Sequence, residues 1–140
     1  MSVYFLSHGD LVKIGKSSDP GARVKALQTG AFLRVRLLAV ADIASNAQSY
    51  EIERQLHEQF AWSRKRGEFF AFSRPLRELI AAVAAGVDVR DAMALCSKEC
   101  RRLSNKANLL RASKRTTPPV AENARARRTR LRDESRRAQA

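Results

Sequence analysis

The sequence predicts an α/β fold of the α+β type, in which a small three-stranded antiparallel sheet is flanked by helices. Three observations lead to this prediction. Two short β-prone runs near the start meet at a glycine-containing turn, a third run follows a well-capped helix, and later apolar residues recur at helical spacing. Beyond these elements the chain continues into a strongly basic segment with few large apolar residues.

The first two strands are predicted to form a hairpin. The β-prone runs are Val3–Ser7 and Leu11–Gly15, and they flank His8-Gly9-Asp10. A Gly-Asp pair between two such runs is typical of a tight antiparallel turn. The two runs are therefore expected to lie side by side in the sheet.

A helix and a third strand are predicted next. Ser17-Ser18-Asp19-Pro20 places a capping residue directly before a proline, a combination that commonly starts a helix. The helix is expected to run to about Gln28 and to end at Thr29-Gly30. Val35–Ile43 is rich in valine, leucine and alanine and is predicted as the third strand.

A long amphipathic helix and a closing segment complete a predicted first domain, residues 1–74. After the helix, Ser63–Gly67 is predicted as a basic loop and Glu68–Phe72 as a short strand. The helix is expected to open at Asn46. Its apolar positions at helical spacing include Tyr50, Ile52, Leu56 and Phe60.

Residues 75–112 are predicted as a helical extension, with one helix over about 75–85 and a second over about 89–112. Their apolar residues are expected either to pack against the sheet or to form a homodimer surface. Cys96 and Cys100 lie four residues apart on one helix face, a poor geometry for a disulfide. They are expected to be small core residues in a reducing cytosol.

The charge of the chain points to a polyanionic partner. The 140 residues carry 27 Lys and Arg against 14 Asp and Glu, a formal net charge of +13. The last segment, residues 113–140, holds 9 basic and 3 acidic side chains and is predicted to be a disordered basic tail. Because no run reaches the ~18 apolar residues of a membrane span, a cytoplasmic, nucleoid-associated or phage-encoded protein is expected.

Several positions in the first half of the chain form an ordered set of motifs. In chain order they are Ser2-Val3-Tyr4, Lys13-Ile14-Gly15, Arg23, Glu53, His57 and Gly67-Glu68-Phe69-Phe70. Over residues 3–72 this set resembles the GIY-YIG endonuclease superfamily, and in particular its compact phage and bacterial branch with a KIG-type second motif. The resemblance implies a metal-dependent DNA endonuclease that hydrolyses phosphodiester bonds.

The resemblance also implies a role for each motif residue. Glu53 would hold Mg²⁺ or Mn²⁺, for which a hard carboxylate oxygen is a suitable ligand. Arg23 would fork onto the scissile phosphate, and Tyr4 would orient or deprotonate the attacking water. His57 is expected to act as an acid or base, or alternatively to pack the helix, since histidine suits both.

Glu51 competes with Glu53 for the metal-binding role. Both lie on the same predicted helix, and neither is distinctive by residue type alone. Glu53 precedes His57 by four residues, which places both side chains on one helix face and fits the motif order. Glu53 is therefore the predicted ligand.

Other residues near the motifs are expected to have ordinary structural positions. Glu68 would pair with a nearby arginine, Phe69 and Phe70 would lie in the core, and His8 would be an exposed turn residue. Lys13 stands where the wider superfamily has the second tyrosine, so one of the two phenols of the active site is missing.

DNA contacts are expected mostly with the phosphate backbone, from lysines and arginines on strand ends, in the basic loop and in the tail. These residues are Lys13, Lys16, Arg64, Lys65, Arg66, Arg125, Arg127, Arg128 and Arg130. A second hypothesis is a catalytically weak or inactive DNA-binding protein with the same fold. A third, which depends on the arginine-rich tail alone, is an RNA-associated basic protein.

Overall fold

The computed structural model describes residues 1–115 and 137–138. The chain divides into two compact units, residues 1–106 and 107–140. The strands are β1 (Ser2–His8), β2 (Leu11–Ser17), β3 (Val35–Asp42), β4 (Arg64–Arg66) and β5 (Phe69–Ala71). The helices are α1 (Pro20–Thr29), α2 (Asn46–Gln59), α3 (Arg74–Ala84) and α4 (Val89–Arg115). None of the helices among the described residues is long and apolar enough to cross a membrane.

The strands form one antiparallel sheet in the order β3-β1-β2-β5-β4. The α+β class is confirmed, but the predicted number of three strands is wrong, because β5 pairs with β2 and β4 pairs with β5. The predicted basic loop Ser63–Gly67 therefore contains a strand. The three residues of this strand, β4, are all exposed and charged. The strand therefore lacks the alternation of apolar and polar residues by which it could be predicted from the sequence.

The first hairpin and helix are confirmed. His8 pairs with Leu11, which leaves Gly9 and Asp10 as a two-residue turn in which Gly9 has a φ of 60°. Asp19 caps α1, since its carboxylate accepts a hydrogen bond from the Ala22 amide at 2.9 Å. After α1 the chain enters β3, which pairs with β1 on the side opposite to β2.

Both faces of the central strands are covered. The face that carries Val3 and Phe5 packs against α2, α3 and the first half of α4 in the larger core. The opposite face carries Tyr4 and Leu6, which pack with Val35 and with side chains of α1. Alternate residues of β1 therefore point to two different cores.

The helical extension packs on the sheet over its first part, one of the two arrangements that its apolar residues predict. Cys96 and Cys100 are buried in the larger core as free thiols, which confirms them as core residues. Among the apolar side chains of the extension, Ile80, Val83 and Met93 are buried. Leu95 is exposed in the first unit and Leu109 and Leu110 are exposed in the second, so a homodimer through these stays a prediction.

The predicted basic tail lies mostly outside the described residues. Arg125, Arg127, Arg128 and Arg130, which are predicted to contact DNA, are among the residues that the structure does not describe. In the second unit the described part consists of the end of α4 and residues 137–138.

Candidate active site

Tyr4 and Gly15, one from each strand motif, are direct neighbours across the first hairpin. They are paired in the register of β1 and β2. The Tyr4 side chain is 2% exposed and lies across Gly15, so a Cβ at position 15 would lie 2.6 Å from the Tyr4 hydroxyl oxygen. The glycine of the second motif therefore provides the space that the phenol of the first motif occupies.

Gly15→Ala is expected to destabilise the fold by about 1–3 kcal/mol, because the new methyl group overlaps a buried phenol that has little room to move. Thermal unfolding measures this effect. Gly30→Ala is the matched control, since a Cβ at Gly30 would meet nothing within 4 Å. Equal melting temperatures for the two variants would contradict this account of Gly15.

Glu53 and His57 lie together in a cleft of about 320 Å³ beside α2. The cap of α2 is Ser45, whose hydroxyl accepts a hydrogen bond from the Gln48 amide. The four-residue spacing places both side chains on the same wall, next to the buried face of the helix. The residues that line the cleft are Tyr50, Glu53, Arg54, His57, Glu58, Arg64 and Glu68.

The Glu53 carboxylate is partly withdrawn from water. This burial raises the pKa of Glu53 above its ordinary value, and the negative charge of Glu68 raises it further. His57, when its ring is protonated, opposes the shift, and so do the positive charges of Lys16 and Lys13. The carboxylate therefore lies where a cation would relieve both the desolvation and the repulsion from Glu68.

Glu51 has different surroundings. It lies on the same helix but outside the cleft, and its carboxylate accepts hydrogen bonds from Arg54 and Gln55. The hydrogen bond from Arg54 is the main reason why the pKa of Glu51 is lowered. A carboxylate with these partners is a poorer candidate for a metal ligand than Glu53.

His57 joins α2 to the edge of β2. The pairing of β5 with β2 ends at Lys13, and the next amide, that of Ile14, donates to the Glu68 carbonyl. His57 Nε2 lies 3.0 Å from the Ile14 carbonyl oxygen. Because a carbonyl only accepts hydrogen bonds, Nε2 carries the proton, and in the neutral ring Nδ1 remains as the acceptor.

The lysine of the second motif is an internal residue. Lys13 is 7% exposed, and its ammonium group forms an ion pair with Glu68. The expectation that Glu68 pairs with an arginine is therefore wrong. Lys13 also lies 5.5 Å from the centre of the Phe69 ring. Its partner Glu68 lines the Glu53 cleft, whereas Lys13 itself does not.

Lys16 and Tyr50 form a second contact near Glu53. The Lys16 ammonium lies over the Tyr50 ring, 4.4 Å from its centre. Tyr50 was expected to be one of the apolar positions that face the core, but it is 60% exposed and lines the cleft. The ring is on the outer side of α2, where its polar tip is compatible with water.

Tyr4 and Arg23 do not line the Glu53 cleft. Tyr4 belongs to the smaller core on the α1 side of the sheet. Arg23 is exposed on α1, and among the described residues its guanidinium has no ion-pair partner. The structure thus brings the predicted metal ligand Glu53 and His57 together, but it does not bring Tyr4 and Arg23 into the same cleft.

Arg64 is the only one of the three β4 cations that lines the Glu53 cleft. Its guanidinium lies 5.3 Å from the centre of the Phe70 ring, which is fully buried. Lys65 and Arg66 are exposed next to it. Glu68 also lines this wall of the cleft. Neither its charge nor its place in a turn predicts this position from the sequence.

The T5orf172 domain family matches residues 1–87, which extend from β1 through α3. No curated protein and no solved structure shows a significant match to the chain. The matched residues include both strand motifs and every described residue of the Glu53 cleft.

Proposed function

The chain belongs to the T5orf172 domain family, which is related to GIY-YIG- and HNH-like phage nucleases, and from this we propose that it is a metal-dependent DNA endonuclease of the GIY-YIG type. The observation that carries the proposal is the cleft in which the partly desolvated Glu53 carboxylate lies beside His57. The net charge of +13 supports a polyanionic substrate.

Glu53 would hold the divalent ion, Mg²⁺ or Mn²⁺. Its hard carboxylate oxygens, its partial burial and the nearby charge of Glu68 all suit a cation. Among residues 1–115 and 137–138, no group of three or more His, Cys, Asp or Glu side chains is arranged to hold a metal. Waters and phosphate oxygens would therefore complete the ligand set, which is an arrangement that Mg²⁺ favours.

The chemistry supplied by a bound ion is stabilisation of the negative charge that develops on the phosphate and on the departing oxygen. Tyr4 would orient the attacking water through its hydroxyl group, which lies over Gly15. His57 would take up a proton at Nδ1, since Nε2 is engaged by the Ile14 carbonyl. Arg23 would contact the scissile phosphate from α1. Its guanidinium group is available for this contact because it forms no ion pair among the described residues.

Incubation of supercoiled plasmid with the purified protein tests this proposal. Conversion to nicked or linear DNA is expected with Mg²⁺ or Mn²⁺, and EDTA is expected to abolish it. Absence of cutting under all of these conditions would refute the endonuclease.

A DNA-binding protein with weak or no cleavage is the second candidate. Two observations favour it: Lys13 stands in place of the second tyrosine, and Tyr4 and Arg23 lie outside the Glu53 cleft. A clear shift of DNA in a gel without any metal-dependent cutting would support this candidate.

Lys16→Met is expected to reduce the steepness with which log affinity falls against log salt concentration. The magnitude of the slope should decrease by about one, because one phosphate contact is lost. Lys13→Met is expected to change this slope much less, because the Lys13 ammonium is buried and paired with Glu68. Titrations of a duplex at several salt concentrations measure both slopes. An equal fall in both variants would instead support the phosphate contact that the sequence predicts for Lys13.

A further inference from the structure

Phe32 is a fully exposed aromatic side chain in the loop between α1 and β3. Its loop is nevertheless held firmly on both sides by Gln28. The Gln28 side chain donates to the Leu33 carbonyl at 3.2 Å and accepts from the Val35 amide at 2.7 Å. The Ala31 amide donates to the Gln28 carbonyl. These hydrogen bonds fix the loop in a conformation that leaves the apolar ring of Phe32 exposed to solvent.

A second cleft, of about 280 Å³, lies directly beside Phe32. Leu6 and Leu27 contribute apolar walls, and Phe69 and His8 contribute rings. These two rings lie edge to face with centroids 6.1 Å apart. Phe69 is only half-buried, so its expected position in the core is wrong. His8 is also half-buried and is the last residue of β1, so its expected position as an exposed turn residue is wrong.

The second cleft borders the candidate active site. Lys13 lines this cleft and pairs with Glu68, which lines the Glu53 cleft. On the other side, Leu6 and Val35 line the second cleft and pack with Tyr4 in the smaller core.

We propose that the second cleft receives an unpaired base of the DNA strand that is cut, so that the preferred substrate has an unpaired or mispaired nucleotide beside the scissile phosphodiester. This inference rests on the proposed function for DNA as the ligand. The cleft is slightly smaller than the ~300–1,000 Å³ typical of drug-sized ligands, which suits one planar ring system. The aromatic rings provide stacking surfaces that every base can use.

The charge near the cleft fits the backbone that a bound base would bring with it. The chain that carries Phe32 continues into Arg34 and Arg36, which are both exposed. Among the described residues neither has an ion-pair partner. A base in a regular duplex cannot enter such a cleft without leaving its stack, and this step is least costly for a nucleotide that is already unpaired.

Binding of the full chain to two matched duplexes in EDTA tests the proposal. One duplex carries a single unpaired nucleotide, and the other carries an abasic nucleotide at the same position. We expect the wild type to bind the first about tenfold more tightly, as base–aromatic stacking predicts. Phe32→Ala should bring the ratio of the two affinities close to one, and Phe32→Trp should retain it.

Leu95→Ala is the matched control, because Leu95 is an exposed apolar residue that lines neither cleft, and it should retain the ratio. Equal affinities of the wild type for the two duplexes overturn the proposal. This is the result expected if the natural ligand of the cleft is an apolar peptide. An unchanged ratio in Phe32→Ala also overturns the proposal. Because the binding is measured in EDTA, a preserved ratio without plasmid cutting refutes the nuclease alone. Cutting with a ratio of one refutes the base site alone.

Discussion

Glu53→Gln is expected to lower the rate of plasmid nicking by roughly a thousandfold, the loss that follows when several kcal/mol of transition-state stabilisation disappear. The amide keeps the shape of the side chain but removes the negative charge that would hold the divalent ion. Because Glu53 is only partly buried and forms no ion pair among the described residues, the fold should be retained. DNA affinity in EDTA should therefore be nearly unchanged.

Glu51→Gln provides the control for this experiment. The substitution is identical and lies on the same helix, but Glu51 is outside the cleft and is engaged by Arg54. Its nicking rate should stay within about threefold of the wild type, since exposed ion pairs contribute little. If Glu51→Gln stopped the cutting and Glu53→Gln did not, the assignment of the metal ligand would be reversed.

Phe70→Ala is expected to have the largest effect on stability, a loss of about 3–5 kcal/mol. Phe70 is fully buried at the centre of β5, where it pairs with Val12 of β2. Its ring contacts His57 at a centroid distance of 5.2 Å and supports Arg64. A domain of this size has a total stability of about 5–15 kcal/mol, so this variant loses a large share of it.

Urea unfolding of the full chain measures this loss, and Phe32→Ala is the reference because it makes the same chemical change at an exposed position. The reference variant should stay within about 0.5 kcal/mol of the wild type. A similar midpoint for both variants would show that the closing strand is not anchored by Phe70. The contact of the His57 ring with Phe70 would then also contribute little to the stability of the fold.

The two hairpin turns show where sequence patterns predict this fold and where they do not. Gly9-Asp10 and Gly67-Glu68 have the same chemistry, and the two glycines have φ values of 60° and 52°. The first turn is recognisable because β-prone residues flank it on both sides. The second follows three consecutive cations, whose pairing depends on β5 and not on any apolar alternation of their own.

The candidate site was predictable along α2 and less so on the strands. A four-residue spacing on a helix places Glu53 and His57 on one face in any context. The position of Lys13 depends on its ion pair with Glu68, which lies 55 residues further along the chain. Strand periodicity gives the face on which a lysine lies, but only the tertiary structure decides whether another element covers that face.

The outer strands of the sheet have a further consequence for the behaviour of the protein at high concentration. Within the described residues the five-stranded sheet ends at two outer strands, β3 and β4, whose outward amides and carbonyls can pair with another copy. Arg64, Lys65 and Arg66 occupy all of β4, and Arg36 lies exposed on β3. Strand-to-strand aggregation would bring these cations together, so their mutual repulsion keeps the sheets of neighbouring molecules apart.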